Sequence, residues 1–140
     1  PQIKEKYVKT GQGAFIWRDF AFLGQESFDA AQAARCAGEQ GKFWEYHDYL
    51  FTHQSGENRG AFSTANLKNF AAALGLNAQD FNQCLDSEKY LSAVQKESGF
   101  GRDLGVTGTP SSFINGRQVT GAVPFASLEA VISDALKNSN

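Results

Sequence analysis

The sequence predicts an α/β domain interrupted by an inserted block of helices. Three observations predict it. Residues 14–20 alternate aromatic and β-branched side chains in the manner of a strand. Between residues 26 and 104 the apolar positions recur at helical spacing. Beyond Gly105 the pattern returns to two short strands about Asn115-Gly116, followed by one more helix.

The elements follow in order. Residues 1–9 read as the end of a helix, with Ile3, Tyr7 and Val8 on one face. Lys4, Lys6 and Lys9 suit the negative end of the helix dipole, and Gly11 and Gly13 stop the element. In the strand at 14–20, Phe15, Trp17 and Asp19 alternate with Ile16, Arg18 and Phe20. Neither face is wholly polar, which predicts cover on both sides for part of its length. Arg18 and Asp19 are a candidate partly buried ion pair.

Residues 26–37 form an alanine-rich helix with Phe28, Ala31, Ala34 and Arg35 at helical spacing. Residues 42–51 carry Phe43, Tyr46, His47 and Leu50 on one face, and the polar stretch 54–60 reads as a loop. Thr64 is the expected N-cap for Leu67, Phe70, Ala71 and Leu74, with Gly75 as the stop. Asn77 caps a short helix holding Phe81, Cys84 and Leu85, and another helix is expected over 87–104. Residues 105–110 are loop chemistry. Strands at 112–114 and 118–120 form a hairpin in which Arg117 extends the Asn115-Gly116 turn. Pro124 opens a final helix with Phe125, Leu128, Val131, Ile132 and Leu136 on one face.

Composition narrows the function. With 41% hydrophobic and 20% charged residues, the chain is neither disordered nor a coiled coil. A net charge of −2 and no basic patch argue against nucleic acid and anionic membrane surfaces. No apolar run approaches the roughly 18–20 residues that a membrane span needs. The chain begins with Pro and has no Met, so it is expected to be processed, truncated or part of a longer product. Three short strands make a small sheet for this length, and a further strand ahead of Pro1 would complete it.

The candidate chemical groups are few. Cys36 and Cys84 could be two buried thiols, a disulfide, or half of a metal site. Neither has a second cysteine three residues away, and both fall inside amphipathic helices. They lack the helix N-terminus that would lower a thiol pKa. His47 reads as a packed residue of an aromatic helix, and His53 as a helix-end cation. A zinc site of these two cysteines and two histidines lacks the close ligand pairs that such sites favour, so no metal is expected. Gly11-Gln12-Gly13 follows a helix, where a phosphate-binding fingerprint requires a strand.

The stretch GVTGTPSSFING (105–116) resembles the cis-proline loop, strand and hairpin of the DsbA-like thiol-disulfide oxidoreductases. FIWRDFAFLGQES (15–27) is similar to that family's second strand and the loop after it. AAQAARCAGEQGKFWEYHDYLF (30–51) is similar to the start of its helical insertion. FNQCLDSEKY (81–90) and TGAVPFASLEAVI (120–132) continue the likeness in order.

The resemblance implies a thioredoxin-like fold with an inserted helical subdomain: residues 1–22 and 105–140 as the core, 23–104 as the insertion. It implies a C-x-x-C motif at the start of the first helix, which this chain lacks. That motif and the strand before it are expected upstream of Pro1. The resemblance also implies a cis Thr109-Pro110 bond, with Thr109 and Pro110 binding an extended substrate chain through backbone groups. A structural disulfide between Cys36 and Cys84 in an exported, periplasmic protein is implied too.

The function implied is mixed-disulfide exchange on cysteines of exported polypeptides, with a redox partner protein and no dissociable cofactor. The present chain alone is expected to be inactive. The alternatives are a non-catalytic DsbA-like binding domain for peptides or a partner, and a glutathione-dependent isomerase or transferase on the same fold. A dimer through unpaired sheet edges is a further expectation.

Overall fold

The computed structural model describes residues 2–138; Pro1, counted above in the first helix, lies outside them. The chain forms two compact units, one of Pro1–Arg18 with Arg102–Asn140 and one of Asp19–Gly101.

The second unit is helical. It holds α1 (Gln25–Glu39), α2 (Phe43–His53), α3 (Thr64–Ala73), α4 (Ala78–Asp86) and most of α5 (Leu91–Asp103). Its core gathers around the alanine-rich face of α1, where Ala30, Ala33, Ala34 and Ala37 are buried. Small side chains let α2, α3 and α4 approach α1 closely, and larger groups fill the space between them. Tyr46, Leu67 and Phe81 are each fully buried. The Tyr46 and Phe81 rings lie 5.4 Å apart, and the Tyr46 hydroxyl donates to the Leu67 carbonyl at 2.8 Å. Burial pushes the Tyr46 phenol well above its ordinary pKa, so it stays a neutral donor. Cys36 of α1 and Cys84 of α4 are joined by a disulfide.

Local chemistry sets the helix ends. Asn77 has extended backbone, and its side-chain oxygen accepts from the Gln79 and Asp80 amides at 2.9 and 3.2 Å. Gln40 ties the end of α1 to the same cap: its Oε1 accepts from the Asn77 amide, and its Nε2 donates to the Asn77 carbonyl. Asn77→Ala is expected to cost about 1 kcal/mol, read as a shift of the urea midpoint at constant slope. At α1 the loop after α2 reaches back. Asn58 Oδ1 accepts from the Glu26 amide, and the Glu26 carboxylate accepts from the amides of Gly60 and Phe62. Gly24 has φ of +93°, and a Cβ there would stand 2.6 Å from Asn58 Cγ, so glycine is required.

Two expected boundaries move. Ser63, not Thr64, takes the N-cap position of α3, and Thr64 is its first helical residue. The helix expected over 87–104 begins at Leu91. Ser87 caps the C-terminus of α4, its hydroxyl donating to the Cys84 carbonyl. Glu88 has φ of +51°, a left-handed turn that no helix runs through.

The first unit contains a π-helical turn at Lys4–Val8, the hairpin β1 (Ser111–Ile114) and β2 (Arg117–Thr120), and α6 (Phe125–Lys137). The turn closes through the Lys9 amide on the Lys4 carbonyl at 2.9 Å. An ion pair between Lys6 and Glu129 joins it to α6, and the buried Tyr7 also donates to Glu129, at 3.4 Å. The hydrogen bond and charge of Lys6 hold the Glu129 carboxyl below the usual carboxylate range. β1 and β2 pair antiparallel, with Ser111 opposite Thr120 and Ile114 opposite Arg117. Arg117 thus belongs to the ladder and not to the turn. Asn115 and Gly116 alone make the turn, both at positive φ (45° and 85°), which matches the twist of the flanking strands.

The strand expected at 14–20 is not formed: the described sheet has two strands, β1 and β2, paired with each other. Alternation makes a segment suitable for a strand, but only a neighbouring ladder makes it one. Nor is the segment covered on both faces, since Ile16 is 70% exposed and Phe15 and Trp17 are exposed as well.

Candidate functional site

The candidate site is the loop that ends at β1. α5 stops where Gly105, at φ +80°, donates its amide to the Arg102 carbonyl at 2.9 Å. Val106 is buried and anchors the loop, whereas Thr109 and Pro110 are exposed. The Thr109-Pro110 peptide bond is cis. The Pro110 carbonyl accepts from the Gly121 amide at 2.8 Å, which closes the open end of the hairpin. The ladder starts one residue later, at Ser111. Among the described residues, no backbone hydrogen bond engages Thr109. Its N–H and C=O therefore stand at the end of an edge strand, where an extended chain could pair with them.

The cysteines lie elsewhere in the fold. Both are buried in the helical unit, 1% and 6% exposed, and joined to each other. No free cysteine exists in the chain. Exchange chemistry needs an accessible thiolate, and this pair supplies none. Being bonded to each other, neither is available to a metal. Among the described residues, no group of three or more His, Cys, Asp or Glu is placed to hold an ion. His47 sits in the aromatic row of α2, with its ring 5.3 Å from Trp44 and 4.7 Å from Phe51. His53 ends the same helix and stacks on Tyr49 at 3.8 Å.

A model of the thioredoxin family matches residues 1–134. The chain belongs to the thioredoxin family. Its thioredoxin-like fold, rich in helix with a small sheet, superposes on solved structures. BdbD from Bacillus subtilis superposes with a TM-score of 0.87 at 22% identity, over 99% of this chain and 76% of that one. The thiol-disulfide exchange protein alpha-DsbA2 from Wolbachia pipientis gives 0.77 at 26% identity, over 95% and 73%. Two curated relatives carry a similar stretch within longer proteins. One is a Rickettsia felis protein (strain ATCC VR-1525 / URRWXCal2) whose name, protein-disulfide oxidoreductase, is provisional. It is 30% identical over 98% of this chain and 49% of its own length. The other is the Na(+)/H(+) antiporter NhaA 1 of Salinispora arenicola (strain CNS-205), 31% identical over 96% of this chain and 20% of its own length. The chain thus spans about half of the former and a fifth of the latter. No helix among the described residues is long and apolar enough to cross a membrane.

Within this thioredoxin-family chain a guanidinium of the helical unit answers the Asp19 carboxylate. Asp19 is 5% exposed and its carboxylate pairs with Arg35 of α1, Nε to Oδ2 at 2.5 Å. Arg35 also reaches Glu97 of α5 at 3.0 Å. Burial works against the Arg35 charge, but the hydrogen bonds and charges of Asp19 and then Glu97 outweigh it and raise its pKa. Sequence reading missed Glu97 altogether. The available signal was Arg35 itself, a guanidinium lying at core spacing with Phe28, Ala31 and Ala34. A cation on an apolar stripe calls for a carboxylate from another element.

Proposed function

We propose that this chain is the substrate-binding and helical portion of a DsbA-like thiol-disulfide oxidoreductase acting on cysteines of exported polypeptides by mixed-disulfide exchange. The observation that carries this reading is the exposed Thr109-Pro110 edge at the head of β1. An extended substrate chain would hydrogen-bond Thr109 through its backbone, so that many sequences are accepted. The two family resemblances that bear a thiol-disulfide name support it. The nucleophilic and resolving cysteines would be supplied by a C-x-x-C outside this sequence. The 140 residues alone would turn over no disulfide, because their two cysteines are buried and bonded. Residues 23–104 would be the helical insertion, most of it in the unit Asp19–Gly101, and residues 1–22 and 105–140 the thioredoxin core. A disulfide of this kind persists in an oxidising compartment, which favours export to the periplasm or its equivalent.

The test is an NMR titration of the chain with an unfolded peptide carrying one cysteine blocked by alkylation. Shifts confined to the amides of Thr109 and of residues 111–113 are the expected result. Shifts that leave Thr109 unmoved and map elsewhere would overturn the assignment. Concentration-dependent shifts of the same amides with no peptide added would instead assign this edge to a second copy of the chain, and sedimentation would then show a dimer.

A further inference from the structure

Asn115 and Gly116 make the whole turn between β1 and β2, and both are exposed. An asparagine carries a latent reaction with its own chain: the amide nitrogen of the next residue can attack the side-chain carbonyl carbon and close a five-membered ring. Three features suppress it. A side chain on the next residue obstructs the approach, a hydrogen bond on its amide withholds the nucleophile, and a bonded asparagine side chain is held away. Asn66, Asn69 and Asn82 lie inside α3 and α4, where the next amide belongs to the helix ladder; that of Leu67, for one, donates to the Ser63 carbonyl at 2.9 Å. Asn77 Oδ1 is held by the Gln79 and Asp80 amides, and Ala78 follows it. Asn58 Oδ1 accepts from the Glu26 amide, and Arg59 follows. Asn115 is placed differently. Gly116 has no Cβ, and a Cβ built there would meet nothing within 4 Å, so the approach is open. Among the described residues, no backbone hydrogen bond holds the Gly116 amide.

The reaction needs water and no other reagent. The Gly116 amide gives its proton to water, and its nitrogen bonds to Asn115 Cγ. The Cγ–Nδ2 bond then breaks, and Nδ2 takes up a proton and leaves as ammonia. Water next opens the ring at one of its two carbonyl–nitrogen bonds. Opening at Cγ gives aspartate; opening at the Asn115 main-chain carbonyl gives isoaspartate. Asn115 has φ of +45°, which aspartate tolerates, so the first product keeps the turn. Isoaspartate routes the main chain through the side-chain carbon. It lengthens by one atom a turn whose two residues set Ile114 opposite Arg117. Both products add a negative charge. Asn115 lines the same surface hollow as Arg117 and Asp134, and the Arg117 guanidinium lies 3.8 Å from Asp134. The new carboxylate competes for that guanidinium.

We propose that Asn115 is a self-modifying site, at which the Gly116 amide and water turn a neutral hairpin tip into an anionic one, and that the isoaspartyl form loosens β1 from β2 at the turn. This chemistry is independent of the oxidoreductase reading.

The experiment incubates the native chain and the urea-unfolded chain at mildly alkaline pH and follows each asparagine by peptide mass spectrometry, with fragmentation that separates isoaspartate from aspartate. In the native chain Asn115 is expected to convert about tenfold faster than Asn58, Asn66, Asn69, Asn77 or Asn82, and to give both isomers. Asn115 that keeps its amide in the native chain would overturn the proposal, and its conversion in the unfolded chain would then show that the turn protects it. Another of these asparagines converting first in the native chain would overturn it as well. Amide hydrogen exchange tests the structural half on the purified isoaspartyl chain and on Asn115→Asp, which stands for the other product. The Ile114 and Arg117 amides are expected to exchange faster in the isoaspartyl chain and at the parent rate in Asn115→Asp. Parent rates in the isoaspartyl chain would overturn the loosening of the hairpin.

Discussion

Replacing Cys36 and Cys84 together by alanine is expected to destabilise the helical unit by about 4 kcal/mol, from the entropy that a cross-link spanning some fifty residues removes from the unfolded chain. The separation of 48 residues is long for a unit of this size, so the unfolded ensemble gains much freedom when the link is lost. The bridge joins α1, which contacts every other core helix through its alanine face, to α4, which contributes Phe81 and Leu85 to the same core. By the usual scaling for a small domain the melting temperature falls by roughly 15–30 °C. Calorimetry of the double variant against the parent measures it directly. A loss below about 1 kcal/mol would mean that the reduced unfolded chain keeps α1 and α4 together without the bond. The same burial makes a second readout available. With both sulfurs shielded, the native chain should resist mild thiol reductants that reduce it readily in denaturant.

Phe81→Ala is the second large effect, expected at about 3–5 kcal/mol because truncating a buried aromatic leaves a cavity that its surroundings only partly fill. Phe81 is fully buried, and its neighbours leave little slack. On one side the Tyr46 ring faces it, and that ring is held by the hydroxyl bond to the Leu67 carbonyl. Cys84, one helical turn along α4, is tied to α1. A ring fixed by a hydrogen bond and a helix fixed by a disulfide cannot move in to close the gap. Urea unfolding followed by tyrosine fluorescence reads the loss. Tyr46→Phe in the same background tests the coupling: with the hydroxyl anchor gone, the ring is freer to fill the cavity. The two changes together should then cost less than the sum of each alone.

Much of the fold was legible because it is written in short-range patterns. The alanine face of α1, the aromatic face of α2, the Asn77 cap and the Asn115-Gly116 turn each depend on residues within a turn or two of each other. The family likeness in residues 105–116 was legible for the same reason, since a loop, a strand and a tight turn are contiguous. The misreadings have the opposite character. Residues 14–20 alternate like a strand, yet strand formation is decided by a neighbour that the local pattern does not contain. Glu88 looked like the interior of a helix, and only its positive φ shows that α4 ends and α5 begins anew.

The candidate site divides along the same line. Thr109 and Pro110 could be named from their place in a contiguous motif. Arg35, Asp19 and Glu97 could not, because the first two are 16 residues apart and Glu97 stands 78 beyond Asp19. The sequence by itself determined most of the helices, the Asn77 cap, the hairpin and the family, for these follow from propensity, period and turn chemistry along the chain. Tertiary structure alone decided which guanidinium answers a buried carboxylate and which extended segment joins a sheet. Those outcomes depend on desolvation and on partners brought together only when the chain has closed on itself.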